Sequence, residues 1–546
     1  MRKIKYNVAR NDLARVYLKT NKSCCSYQLN DLMSVADVTQ GRGDVTKVES
    51  SDPNQFGKFV TVDILPGELE RMTSSLSITM LTDRPNGFYD FLYKSKPIDF
   101  QVHFGECSNP QNFNEFEKAL IFEDVYATNW NATSLVAANA SERAAVVETV
   151  DISIGAYYEI YRIYSQIMNP NFPNVANGAF VSSAIQCVED CNLSGIGTYG
   201  TNNIFLLQVV FTAGYCNQSN PSVFRPNLVL WYSWDGGTTY NTINIEELEF
   251  ITSSNPANCT ENVNMRSLHI DVYNNMLYLT AGLGHTAIID IAELFYNNVI
   301  KLKYYSGILE TFDWIVYDQV VLNGYLLIAG AGGRIWRLNN NLNQRERIYS
   351  YFASAYNNPF TSIHGIDENT FIAGHNLGVF KYKNGQMFLI ENSPAGVTNV
   401  WMFSESNFIA STAKAIFATC NGGITWTAVF TLLNDECIMK YKFATNQVGY
   451  MITNSPTLGP RVYRTLDMGC SWILVEQNGL SINNIFTDIS VCNLNPNGFI
   501  AVGLFATAST LNIRCELVSP NTNLLRTYSG NIVYGKVSNN EYKLNV

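Results

Sequence analysis

The chain has 546 residues, of which 47% are hydrophobic and 15% charged, with a formal net charge of −10. That length exceeds what one compact core organises and calls for two or more domains. The apolar content excludes a disordered chain, and the acidic balance excludes a duplex binder that works by phosphate neutralisation. No apolar run reaches the roughly 18 residues of a membrane helix, and the start lacks the apolar core of a signal peptide, so neither a membrane span nor secretion is expected.

Charge is spread unevenly. Residues 1–22 carry seven Lys/Arg and one Asp, whereas residues 23–160 carry nine Lys/Arg and twenty Asp/Glu. A basic N-terminal arm (1–22) is therefore expected ahead of an acidic body (23–160). Phe59–Ile64 alternates apolar and polar residues and suits a strand, Leu65-Pro-Gly67 a turn, and Ser74–Leu81 a second strand. Phe88, Phe91 and Leu92 sit at helical spacing within 86–96, and Pro97 ends that helix. Ile98–Phe104, Ala119–Trp130 and Ala144–Ile154 read as three more strands. The expectation is a β-sandwich or small barrel with one packed helix. The wording of residues 50–160, from ELERMTSSLSITMLTD to KPIDFQVHFGECSNPQNFNEFEKALIFEDVYATNW, resembles the tube-forming and tail-associated proteins of long-tailed bacteriophages. The resemblance implies rings of such sandwiches stacked around a DNA channel.

From about residue 165 the character changes to repetition. Three segments share one turn pattern: Ser233-Trp-Asp235-Gly-Gly237-Thr-Thr239-Tyr240, Thr419-Cys-Asn421-Gly-Gly423-Ile-Thr425-Trp426, and Thr465-Leu-Asp467-Met-Gly469-Cys-Ser471-Trp472. The Asp or Asn can accept N–H bonds inside its own turn, the Gly supplies a positive φ, and the aromatic opens the next strand. The pattern resembles the Asp-box, or BNR repeat, of sialidases and related β-propellers. Asn421 and Asp467 are 46 residues apart, and Asp235 and Asn421 are 186 apart, four steps of the same period. A four-stranded blade takes about 40–50 residues. Seven strand anchors recur at that scale: 205–214, 276–282, 325–333, 370–378, 407–412, 449–454 and 498–503. Each reads as an inner blade strand. Residues 161–546 are thus expected to form a propeller of seven blades, six or eight being compatible with the spacing. The fold class is mainly all-β, and a last strand at 531–537 is expected to close the ring against the first blade. The turn residues are read as hairpin staples.

No catalytic signature is complete in the sequence. Tyr161-Arg162-Ile163-Tyr164 stands where sialidases carry Phe/Tyr-Arg-Ile-Pro, but the Pro is missing. Arg225, Arg266, Arg334, Arg337, Arg461 and Arg464 could nominally supply a triple-arginine clamp for a carboxylate, yet none has a recognisable setting. Glu246, Glu247 and Glu249 read as a solvated edge. Ala329–Arg334 is glycine-rich but follows a strand with no helix after it, so a propeller turn is expected rather than a phosphate loop. Cys187 and Cys191 lack a second pair and a nearby His, so no zinc site is expected, and the twelve cysteines read as reduced, buried thiols. No enzyme activity, cofactor or metal is expected. The leading expectation is a structural protein of a phage tail, made in the host cytoplasm and carried in the virion. It would form a homo-oligomeric ring or tube through residues 23–160 and contact other tail proteins. Genomic DNA would pass through its channel without specific binding, and the propeller would face outward toward host glycans. The alternatives are a carbohydrate-binding or sialidase-like propeller and a propeller interaction scaffold.

Overall fold

The computed structural model describes residues 15–19, 27–30, 33–35, 46–51, 59–65, 72–79, 97–105, 116–133, 147–161, 164–167, 178–187, 203–213, 224–237, 239–245, 268–280, 285–306, 316–350, 358–432, 435–478, 480–482, 484–493, 495–506 and 528–536. The chain divides into two compact units, Met1–Arg162 with Tyr542–Val546, and Ile163–Glu541.

In the first unit, two sheets share one long bent hairpin. Phe116–Thr133 pairs along one half with Ala156–Tyr161 and along the other with Val147–Ile154. The bend falls at Asp124, whose φ is 52°, opposite Gly155, whose N–H donates to the carbonyls of Glu123 and Asp124. Buried Asp99 accepts the Asp124 N–H at 3.0 Å and fixes the bend. One sheet continues outward through Ile98–Gly105, Arg15–Lys19 and Tyr27–Asn30, the other through Met72–Thr79 and Met33–Val35. Ile121, Phe122 and Ile160 are buried, and along Val147–Ile154 the buried Val150, Ile152 and Ile154 alternate with exposed or half-buried residues, as a strand with one face inward requires. Residues 15–19, read as part of a basic arm, are instead a sheet strand, because Val16 and Leu18 pair in register with Val102 and Phe100. Thr46–Ser51 and Phe59–Leu65 form a separate antiparallel hairpin. The helix expected at 86–96 lies outside the described residues.

The second unit is a β-propeller of seven blades. Six are four-stranded antiparallel meanders, running in chain order from Gly178–Gln186 in the first blade to Ile473–Leu474 in the sixth. The seventh combines Asn484–Cys492, Asn495–Ala506 and Tyr528–Lys536 with Tyr164–Ile167, the strand that precedes the first blade, and with Glu476–Asn478 parallel to it at the outer edge. The expected closing strand at 531–537 therefore pairs with that preceding strand, Ile167 opposite Tyr534, and not with the first blade itself. Completing the last sheet with an N-terminal strand ties the two ends of the ring together and leaves no seam between them.

The seven anchors are the second strands of their blades, not the innermost ones as expected from sequence. The reason is burial. A second strand has neighbours on both edges and a sheet against each face, so Tyr325–Gly330, Thr370–His375 and Gly449–Asn454 are buried almost end to end. The core lies between adjacent sheets. Leu207, Val209 and Leu230 of the first blade pack on Ile270, Leu277 and Ile289 of the second, and Phe180 and Leu206 meet Ile500 and Val502 of the seventh.

Two further findings depart from the sequence reading. A short helix, Ile291–Asn297, links the third and fourth strands of the second blade, with Asp290 capping it through the N–H groups of Ala292 and Glu293. Cysteines are also joined, not reduced. Cys187 and Cys492 form a disulfide across 305 residues, and Cys420, Cys437 and Cys470 are disulfide-bonded as well. Ring closure brings the first and last blades side by side, which a reading of linear spacing does not reveal.

Candidate functional site

The three turn segments have one geometry. Each begins at the last residue of a third strand, in the first, fifth and sixth blades, and ends at the fourth strand of the same blade. The hydroxyls of Ser233, Thr419 and Thr465 accept the N–H of Gly237, Gly423 and Gly469 at 2.8, 2.9 and 2.9 Å. The same hydroxyls donate to Asp235, Asn421 and Asp467 at 2.7, 3.0 and 2.7 Å. Those side chains then accept the N–H of Thr239, Thr425 and Ser471 at 2.9, 3.0 and 2.9 Å. The three glycines have φ of 91°, 96° and 83°, and at Gly423 a Cβ would stand 2.5 Å from Ile390. Trp426 packs on Phe408, Trp472 donates its indole N–H to the Gly469 carbonyl, and Tyr240 packs against the core between the seventh and first blades. The hydroxyl, the Asp or Asn side chain and the backbone N–H groups thus satisfy one another within each hairpin.

Chemistry concentrates instead on the propeller axis. Five of the seven inner strands carry a β-bulge at the same height, with Val181, Tyr317, Thr361, Met439 and Thr487 as the inserted residues. The next residue in each case is polar: Ser182, Asp318, Ser362, Lys440 and Asp488. A bulge re-aims the side chain that follows it, so these five form a belt.

The belt ties blades to one another across the axis. Asp488 of the seventh blade accepts the Ser182 hydroxyl at 2.9 Å and the Ser183 N–H at 2.8 Å, both in the first blade. Ser182 then accepts the Ile270 N–H of the second blade at 3.1 Å. Beside the belt, the Gln319 amide of the third blade donates to the Tyr278 carbonyl of the second at 3.5 Å. Asp318 of the third accepts Ser362 Oγ at 2.9 Å and the Ile363 N–H at 3.1 Å in the fourth. Ser362 and His364 Nδ1 accept the N–H groups of Val400 and Met402 in the fifth, at 3.3 and 3.1 Å. Lys440 of the sixth blade lies 3.0 Å from Asp488 and 3.6 Å from Asp318.

Burial works against the charge of Lys440, but Asp488 and Asp318 outweigh it and hold its pKa above the usual lysine value. Burial alone would raise Asp488, yet Lys440 and Lys442 hold it down at about 2. Burial lowers His269 to about 4, with the Lys440 charge adding to the effect, and lowers His364 to about 3. Both rings are therefore neutral at pH 7. Beside the belt lies an axial cavity of about 200 Å³, bordered by inner-strand residues of all seven blades, Asp271, Asn399, Trp401 and Lys442 among them.

Of the arginines named from the sequence, those among the described residues are not gathered there. Arg337 sits on the third strand of the third blade, bound to Glu346 at 2.7 Å and Asn369 at 2.8 Å. Arg334 shares that strand. Arg461 and Arg464 share the third strand of the sixth blade, Arg461 lying 3.7 Å from Glu436. Arg225 is in a third strand of the first blade. Arg162, Arg266, Cys191 and Glu246, Glu247 and Glu249 lie outside the described residues. Ala331–Gly333 forms one 3₁₀ turn between the second and third strands of the third blade.

No family model matches the sequence, and no curated protein matches it. Solved structures do. YCF48 from Cyanidioschyzon merolae is similar at 9% identity and a TM-score of 0.42, over 68% of this chain and 98% of that one. A chain of the mitotic checkpoint complex is similar at 10% identity and a TM-score of 0.39, over 74% and 96%. A chain of the anti-feeding prophage baseplate is similar at 8% identity and a TM-score of 0.21, over 29% and 98%. The propeller itself is defined by the sheet order and the closure of the ring. Among the described residues no helix is long and apolar enough to cross a membrane.

Proposed function

We propose that this chain is a structural protein of a phage tail or tail-like particle, assembling through its N-terminal unit and displaying the propeller. The observation that carries the reading is the contrast in strand edges between the two units. The propeller is a closed ring with no open seam. In the N-terminal unit, the hairpin Thr46–Ser51/Phe59–Leu65 pairs with no other strand among the described residues, and the sheets end in strands of only four and three residues. A lone two-stranded hairpin is marginal in water, and unpaired edges are templates for pairing with another chain. A second copy of the chain supplies such a partner, and repetition of one such contact closes a ring. The acidic balance of residues 23–160 suits a channel through which DNA slides, since a negative wall repels phosphate. The propeller is then the surface offered to host glycans or to other tail proteins.

Negative-stain microscopy and light scattering of the purified full chain test this. Rings or tubes at high protein concentration are expected, and removing residues 46–65 should leave a folded monomer. A chain that stays monomeric at every concentration overturns the proposal.

A further inference from the structure

The cavity on the propeller axis is lined by two charges that stand outside the Lys440 ion pairs. Lys440 is matched by Asp318 and Asp488. That leaves Asp271 on the second blade and Lys442 on the sixth, both partly exposed at the cavity wall. Burial raises the pKa of Asp271, the Lys442 charge opposes that most strongly, and the two form no direct ion pair. Asp271 Oδ1 accepts the Val272 N–H at 2.9 Å, and lone pairs remain on both carboxylate oxygens for a further donor. Lys442 has three donors and no bonded acceptor among the described residues. The same wall carries the apolar side chains of Trp401, Phe443, Ile185 and Val491 and the amide of Asn399. Trp401 is held by stacking on neutral His364 at a centroid distance of 3.6 Å.

We infer that this axial cavity binds a small zwitterion of the free amino acid class, with its ammonium group on Asp271 and its carboxylate on Lys442. A ligand with both charges completes both ion pairs at once in a partly desolvated setting, where charge-assisted bonds are strongest. A singly charged molecule completes one pair and leaves the other group as it was. The volume of about 200 Å³ limits the ligand to the size of an amino acid with a short side chain, which would rest on Trp401 and Phe443. The inference stands apart from the assembly reading, because it concerns the propeller alone.

Thermal-shift titration of the full chain with L-alanine, up to about 10 mM, tests it through the saturable stabilisation that ligand binding gives to the folded state. Sodium acetate, methylammonium chloride and D-glucose are run alongside. The expected result is a saturable rise in melting temperature with alanine, and a much weaker response to the other three. Lys442→Met and Asp271→Asn should each weaken alanine binding by about tenfold or more, as loss of a bond to a charged group does. Both leave the Lys440 ion pairs in place, and the unliganded melting curve of each variant reports whether it folds. Lys442→Met is the safer of the two, since its side chain has no bond to lose. No saturable shift with alanine overturns the inference. So does an equal shift with acetate alone, which would mark a simple anion site, an equal shift with glucose, or retention of the full alanine effect in folded Lys442→Met.

Discussion

Lys440 Nζ lies 3.0 Å from Asp488 Oδ1, joining the sixth blade to the seventh, and the same ammonium reaches Asp318 of the third blade at 3.6 Å across the axis. One side chain thus neutralises two carboxylates that are each already bound to the blade following their own. Removing the cation while leaving both carboxylates buried is the costly way to break such a cluster. Lys440→Met is expected to destabilise the propeller by about 3–5 kcal/mol, measured by urea denaturation. Adding Asp488→Asn to that variant should restore part of the loss, because it removes one of the two stranded charges. If Lys440→Met unfolds at the wild-type urea concentration, the cluster contributes nothing to stability.

The axial groups also set the acid limb of stability. His269 and His364 have folded-state pKa values of about 4 and about 3, lowered by burial, against about 6.5 in an unfolded chain. As pH falls below about 6.5 the unfolded chain takes up protons that the folded chain refuses. The contribution of the neutral rings is whole above that pH and is lost as pH falls through their folded values, at up to about 1.4 kcal/mol per pH unit for each ring. Asp488, held at about 2, contributes above its unfolded value of about 3.9 and loses that contribution as pH falls toward 2. Urea midpoints measured from pH 7 to pH 4 should therefore decline, and His364→Gln should flatten the decline. An unchanged slope in that variant would show that His364 is not the titrating group.

The three turns share a geometry but not an environment, and their contributions should differ accordingly. Asp467 is 1% exposed, Asp235 is partly exposed, and Asn421 is exposed. Asp467→Ala strands the buried Thr465 hydroxyl and the N–H of Ser471, and should destabilise by about 2–3 kcal/mol. Asn421→Ala removes equivalent bonds where water can replace them, and should cost about 1 kcal/mol or less. Equal losses would mean that turn geometry, not burial, determines the effect.

The propeller was legible in the sequence because its two loudest signals are local. Second strands are apolar along their whole length, and a hydroxyl, a carboxylate and a glycine at fixed offsets make one hairpin. The axial belt was not legible, for a physical reason. A bulge residue such as Thr361 or Thr487 interrupts the period of two, so Ser362 and Asp488 fall out of phase with the alternation expected of a strand. A signal was present nonetheless. Phe180-x-Ser182, Val316-x-Asp318, Phe360-x-Ser362, Ile438-x-Lys440 and Phe486-x-Asp488 each precede an anchor. Lining up the strands before the anchors, and not the anchors alone, would have brought Lys440 into line with the two acids it binds. The closing strand Tyr164–Ile167 gives no local sign at all, since its partner lies more than 360 residues away at Tyr534 and Gly535.

The joint between the first and seventh blades is reinforced twice, and the two reinforcements can be separated. Besides the strand Tyr164–Ile167, Cys187 at the end of the first inner strand is bonded to Cys492 at the end of the seventh, with Cα atoms 5.6 Å apart. That bond closes a covalent loop around nearly the whole propeller. In the chain-entropy account, long loops gain the most, and loss of a native disulfide costs about 2–5 kcal/mol. Cys187→Ser, chosen because Cys492 is fully buried, should lower the urea midpoint by that amount while leaving the far-ultraviolet spectrum of the sheets intact. Peptide mapping without reductant should recover the two cysteines in one cross-linked fragment. Full labelling of both thiols in the folded, unreduced protein would leave ring closure to the N-terminal strand alone.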